Sequence, residues 1–268
     1  MTPATLFPSL GAPAWRLLGI EPVRAIMEYA RMQLMNKAAL PRGDGHPVVI
    51  FPGLAADHRS IGPLKDFCEQ LGYVAYDWGR GFNIGPHGDL DAWLDELAQH
   101  VVELTRAHQE PVSLVGWSLG GVYAREVAKK LTGRVRQVIT IGTPFAGRAE
   151  LTHASWVYRL LSGQEPTLSP ATMARLRTAP DAPTTSIFSR SDGVVAWQAC
   201  IQDGDADYTE NIEVDGSHCG LGWNSDVLSI IADRLQQPVG AWQRHGRASS
   251  FEQAMFSTEG SSTWQIHG

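Results

Sequence analysis

The sequence predicts an α/β protein with a mostly parallel central sheet and helices on both faces. Three observations lead there. Short apolar, strand-like runs alternate with helical patterns from Pro47 to Leu235, as expected of repeated βαβ units. One junction, Pro111-Val112-Ser113-Leu114-Val115 into Gly116-Trp117-Ser118-Leu119-Gly120, runs from strand to helix through G-x-S-x-G. The chain of 268 residues is 43% hydrophobic and 19% charged, enough to bury a large core.

Residues 1–42 read as an N-terminal extension. Pro and Gly break its start, then Glu21-Pro22 opens a helical pattern to about Lys37, with Ile26, Met27, Ala30 and Leu34 at helical spacing. Such a helix could serve as a substrate-side flap or lie on a membrane surface. Packing on the core is favoured, because Arg24, Arg31 and Lys37 are too few to anchor it electrostatically.

The body spans residues 43–237 and starts after the turn-rich Pro41–Gly45 stretch. Expected strands are Pro47–Phe51, Tyr73–Tyr76, Val112–Val115, Val135–Ile141, Thr184–Phe188 and Asn211–Val214. Expected helices are Ile61–Leu71, Leu90–Ala107, Val122–Leu131 and Asp226–Leu235. Residues 145–183 interrupt the rhythm and carry Trp156, Tyr158, Leu160, Leu161 and Leu168. A small lid insertion and an ordinary connecting helix with a loop both fit that stretch. The tail, 238–268, is polar but keeps Trp242, Phe251, Phe256 and Trp264.

The net charge is −6, with no clustered basic face for a nucleic-acid partner. No run approaches the roughly 20 apolar residues that cross a bilayer, and Met1 to Gly19 does not read as a signal peptide. The three cysteines, Cys68, Cys200 and Cys219, fit free thiols in a reducing compartment, although a Cys200–Cys219 bridge stays open. The expectation is a cytoplasmic protein. No His, Cys and Asp set has metal-ligand spacing, H-E-x-x-H is absent, and Gly79–Gly85 is a poor dinucleotide loop because Pro86 follows it. No metal or cofactor is therefore expected.

The chemistry centres on Ser118. A serine on a tight strand-to-helix turn holds strained dihedrals that lift its hydroxyl above the sheet. A hydroxyl needs an adjacent base, and histidine suits that task near neutral pH. A carboxylate must then fix the imidazole tautomer. Asp192 follows a predicted strand and precedes Gly193, with Asp203, Asp205 and Asp207 as fallback acids. His218 lies in a Gly-flanked loop between the last strand and the last helix; the other eight histidines lack that placement. An oxyanion would need two N–H donors. The amide of Leu119 is one candidate. For the other, the Phe51-Pro52-Gly53-Leu54-Ala55 loop offers Leu54 first and Ala55 second.

Taken together, Phe51-Pro52-Gly53-Leu54, Gly116-Trp117-Ser118-Leu119-Gly120-Gly121, Ile141-Gly142-Thr143-Pro144-Phe145-Ala146-Gly147, Ser191–Val195 and Gly216–Leu221 resemble the α/β-hydrolase fold superfamily, and within it the bacterial lipase- and esterase-like members. The likeness covers about residues 47–236. It implies an α/β-hydrolase fold, a Ser118–Asp192–His218 triad and ester or related acyl hydrolysis. Pro52 departs from the His that many members carry before the Gly. The extension and the tail fall outside the likeness. The expected partner is a small or lipid-like ester, with Trp117, Trp78, Phe82 and Trp156 as candidate substrate-binding residues. Acyl transfer, thioester hydrolysis and a silent binding protein are the alternatives. Oligomeric state is left open.

Overall fold

The computed structural model describes residues 15–146, 169–204 and 206–246. Six strands form one sheet: β1 (Pro47–Phe51), β2 (Val74–Asp77), β3 (Val112–Trp117), β4 (Val135–Ile141), β5 (Thr184–Ser189) and β6 (Thr209–Val214). Their order is β2-β1-β3-β4-β5-β6, and every pair is parallel. All five residues of β1 and all six of β3 are buried, which is why these strands read as continuous apolar runs without alternation.

Helices α2 (His58–Leu71), α3 (Leu90–Leu104), α4 (Leu119–Lys130), α5 (Pro170–Arg177) and α6 (Ser225–Leu235) cover the two faces. One core packs Trp93, Leu94, Leu97, Tyr123 and Val127 of α3 and α4 against Val49, Phe51 and Leu114. The other packs Leu64, Phe67, Ile230, Ile231 and Leu235 of α2 and α6 against Val48, Ile50 and Val115. Helix starts follow capping chemistry. The side chains of Asp57, Asp89, Ser169 and Asn224 each accept an amide of the first turn.

The strand order reverses between β1 and β3. β1 feeds outward to β2, whereas β3 begins the march to β6. Beyond the carboxyl ends of strands at such a switch point lies the usual ligand crevice of an open α/β sheet. Register sets those ends side by side, with Phe51 opposite Gly116 and Trp117 opposite Ile141.

The N-terminal helix α1 (Trp15–Gln33) starts ahead of the expected Glu21, with Pro22 inside it. It packs on the body with the opposite face to the one its spacing predicts. Ile26, Met27 and Leu34 are 71%, 53% and 87% exposed, whereas Glu21, Ala25, Glu28 and Met32 are buried. The polar face turns inward because the loops beneath it present backbone amides, described below. The first residues after Pro238 dock on α6 and β6: Arg234 donates to Gln243 O, and His245 N donates to Glu210 Oε2 at 2.7 Å. Within the 145–183 segment the described residues include α5; Tyr158, Leu160, Leu161 and Leu168 lie outside the described residues, and with them the choice between a lid and a connecting helix. Among the described residues no helix is long and apolar enough to cross a membrane.

The junction of β3 and α4 leaves no room for side chains. A Cβ on Gly120 would sit 2.2 Å from the carbonyl oxygen of Phe51, and one on Gly116 would sit 2.4 Å from Gly121 Cα. Both obstacles are backbone, so neither can swing aside. Gly120→Ala is expected to cost about 3 kcal/mol of stability, from overpacking against backbone. Its urea midpoint would read this, and a midpoint equal to wild type would refute the crowding argument.

Candidate active site

Ser118 follows β3 and precedes α4 with φ 54° and ψ −123°, a backbone region that side chains rarely occupy. Such strain costs on the order of 1–3 kcal/mol and must be held by its surroundings. Here its amide donates to Ile141 O at 2.8 Å, and its carbonyl accepts from Gly121 N at 3.0 Å. The side chain is thereby fixed over the carboxyl edge of the sheet.

Three side chains from three loops form one hydrogen-bonded line. Ser118 Oγ is 3.0 Å from His218 Nε2, and His218 Nδ1 is 2.7 Å from Asp192 Oδ2. The other Asp192 oxygen accepts the amides of Val194 and Val195, each at 2.7 Å. That grip aims Oδ2 at the imidazole and makes Nδ1 the protonated nitrogen, so Nε2 presents its lone pair to the hydroxyl. Burial pushes the His218 imidazolium down. The charge and hydrogen bond of Asp192 and the charge of Glu21 outweigh it, leaving the pKa above the ordinary histidine value. The fallback acids make no part of this line; Asp205 lies outside the described residues.

The loop after β1 passes beside the hydroxyl. A Cβ on Gly53 would lie 3.3 Å from Ser118 Cβ, so the Gly53 backbone stands against Ser118, and Leu54 is the next amide along the loop. Ala55 does not compete, because its amide already donates to Asn83 O at 2.8 Å. Leu119 opens α4, where an amide has no partner four residues back.

The alpha/beta hydrolase family model matches residues 48–255. The chain belongs to that family. It is 26% identical over 107 residues to the pimeloyl-[acyl-carrier protein] methyl ester esterase of Legionella pneumophila, a match that covers 40% of this chain and 42% of that protein. Among solved structures it superposes on a lipase-esterase related protein from Clostridium acetobutylicum with a TM-score of 0.51 and 17% identity, over 73% of this chain and 97% of that one. With Aspergillus fumigatus lipase B the TM-score is 0.53 and the identity 16%, over 76% and 56% of the two chains. These distant superpositions establish the α/β-hydrolase fold.

Of the aromatic residues expected to bind substrate, two are engaged in packing. Trp78 is buried in the core, stacks on Tyr123 and donates its indole N–H to Gly81 O at 2.8 Å. Trp117 donates to His218 O at 3.2 Å and meets Trp223 edge-on, which braces the histidine loop from below. Phe82 is exposed, and Trp156 lies outside the described residues. All three cysteines are free thiols; Cys68 and Cys200 are buried and Cys219 is exposed.

Two groups escape the sequence reading. Asn83 is fully buried, and its side-chain amide donates to Pro52 O at 2.9 Å and Gly53 O at 3.0 Å, while its Oδ1 accepts from Gly85 N. It clamps the loop that carries Leu54. No motif announces it, although its position in the Gly-rich 79–85 turn was a signal of a pocket-side loop. The second group is Glu21, treated below.

A look-alike of the line sits at the opposite edge of the sheet. Asp44 Oδ1 is 2.5 Å from His46 Nδ1, and His46 Nε2 is 2.8 Å from Ser113 Oγ. His46 and Ser113 are both fully buried, so no substrate reaches them. Arg136 also holds Asp44, and burial, partly offset by Asp44, lowers the His46 pKa and keeps the ring neutral. The cluster ties the starts of β1, β3 and β4 together. Ser118 and His218 differ from this pair in keeping 4% and 8% exposure.

Asn83→Ala leaves two buried carbonyls without their donor, at a cost of about 1–3 kcal/mol. The variant should lose stability by that amount in urea and react more slowly with a serine-directed phosphonate. A variant with unchanged stability and unchanged labelling would show that the clamp is dispensable.

Proposed function

We propose that the protein is a serine hydrolase of carboxylic esters, of the esterase or lipase type, acting through an acyl-enzyme. The observation that carries this reading is the line Ser118 Oγ–His218 Nε2–Asp192 at the switch point of the sheet. Support comes from the family assignment and from the likeness to an esterase named for a methyl ester.

His218 Nε2 accepts the Ser118 proton as Oγ attacks the acyl carbon. The Leu119 amide and the Leu54 amide receive the oxyanion, and losing one such donor typically costs roughly 3–4 kcal/mol of transition-state stabilisation. Asp192 stabilises the imidazolium that forms and does not itself take the proton. His218 then gives its proton to the departing alkoxide, which leaves as the alcohol. Water enters along the same route: His218 removes its proton, the hydroxide adds to the acyl carbon, and Ser118 leaves as the restored hydroxyl with the acid as product. A serine and not an aspartate at the elbow fits ester chemistry over dehalogenation or epoxide opening.

A fluorophosphonate probe should label the wild-type protein once, at Ser118, and Ser118→Ala should remain unlabelled and inactive on nitrophenyl esters. An unlabelled wild type, or equal labelling of Ser118→Ala, would sink the assignment. The base must be neutral to act, so the rate on a nitrophenyl ester should fall as pH drops through the raised His218 pKa, with a midpoint above the ordinary value of about 6.5. Asp192→Asn removes the larger of the two raising charges, should move that limb to lower pH, and should reduce turnover by about 10⁴-fold. A limb at or below the ordinary histidine value in wild type would contradict the electrostatics.

A further inference from the structure

We propose that Glu21 of α1 is a positioning residue for the Ser118 site, its buried carboxylate tying the loop of His218 to the loop of Asp192. The inference rests on the reading of Ser118 as an acyl-hydrolase nucleophile. Glu21 is only 2% exposed. Its Oε1 accepts from His218 N at 3.0 Å and from Gly193 N at 2.8 Å, and its Oε2 accepts from Cys219 N at 2.9 Å. One oxygen thus bridges the amide of the base itself and the amide next to the acid. A carboxylate accepts all three bonds, whereas a carboxamide accepts at one atom only and would turn a donor toward the third amide.

The same face of α1 repeats the grip. Arg24 donates to Ser191 O at 2.5 Å and to Ser191 Oγ at 2.7 Å, just ahead of Asp192. Glu28 accepts from Ser217 N and Ser217 Oγ, each at 2.8 Å, just ahead of His218. Positions 21, 24 and 28 share a helix face. Contact is close enough that a Cβ on Gly193 would stand 2.6 Å from the backbone of Leu17 and Leu18. Both loops lie beyond the sheet ladder, and for the amides of Gly193, Ser217, His218 and Cys219 the helix supplies the acceptors in its place.

Glu21 also acts through charge. Asp192 from the loop after β5 and Glu21 from α1 face His218; Glu28 from α1 binds the neighbouring Ser217, Cys219 follows in the chain, and Arg24 pairs with Asp215 beside Ser191. Burial disfavours the imidazolium, and Asp192 and Glu21 favour it. Removing the Glu21 charge therefore lowers the His218 pKa and weakens the imidazolium that the reaction must form. Loosening the tie at the same time displaces Nε2 from Ser118, and a misplacement of about 1 Å can cost 100-fold in rate.

The test is the rate of fluorophosphonate labelling against pH for the full chain, with folding followed by circular dichroism and thermal unfolding. Glu21→Gln should stay folded, label up to about 100-fold more slowly on the neutral plateau, and show its acid limb displaced to lower pH. Glu21→Asp keeps the charge one methylene farther away, so its limb should fall between the two. A merely structural tie would change stability and the active fraction but leave the limb in place. Folded Glu21→Gln with the limb and plateau of wild type overturns the proposal, and so does a limb moved to higher pH. If Glu21→Gln does not fold, Glu21→Asp carries the test alone, with a slower plateau and a lower limb expected; wild-type values for both overturn it. A wild-type protein that fails to label at all overturns the reading of Ser118 instead, and the two failures are told apart by that first measurement.

Discussion

Backbone meets backbone where α4 begins. Gly120 lies against the carbonyl of Phe51 and Gly116 against Gly121, with no space for a methyl group at either. Everything at the site follows from that contact. It forces the sharp reversal that holds Ser118 at positive φ, and it sets the end of β1 beside the end of β3 at the switch point of the sheet. The loop through Gly53 is then a neighbour of the hydroxyl by default. Ser118 and the candidate oxyanion amides are built from adjacent strand ends, so their separation is fixed by the sheet and not by flexible side chains.

The partners of Ser118 reach it from longer loops, which need another kind of restraint. Residues 191–193 and 216–220 leave β5 and β6 with several amides, those of Gly193, Ser217, His218 and Cys219, that no strand receives and that donate to α1. Helix α1 lies over them with a buried face that includes two carboxylates, while Ile26 and Met27 point outward. Burial of apolar surface would favour the reverse orientation. The polar one holds because charge-assisted hydrogen bonds to amides are stronger than neutral ones, and because each buried amide left unpaired would cost about 1–3 kcal/mol. Trp117 and Trp223 complete the support from the other side, Trp223 donating its indole N–H to Ala25 O of the same helix. An extension outside the family match at 48–255 has become part of the frame around the site.

Legibility in the sequence divides along these lines. The strands were readable because a parallel sheet buried on both sides needs continuous apolar runs, and β4 matches its expected limits of Val135 and Ile141. Ser118 was readable from the glycines around it, and Asp192 and His218 from their places after β5 and β6. Asn83 and Glu21 were not. Their partners are far off in the chain, with 172 residues separating Glu21 from Gly193 and 197 separating it from His218. Periodicity even misleads for α1, since it reports which face is apolar and assumes that face is inside.

By itself, then, the sequence determined the alternation of strands and helices, the elbow at Ser118 and the order of serine, acid and histidine along the chain, because each is a local pattern with a local physical cause. Only the tertiary structure decided which Asp-His-Ser line has its serine and histidine fully buried, which amide of the Gly53 loop is already paired with Asn83, and which way α1 turns. Those three depend on burial and on hydrogen-bond accounts closed between distant segments, and no local pattern records them.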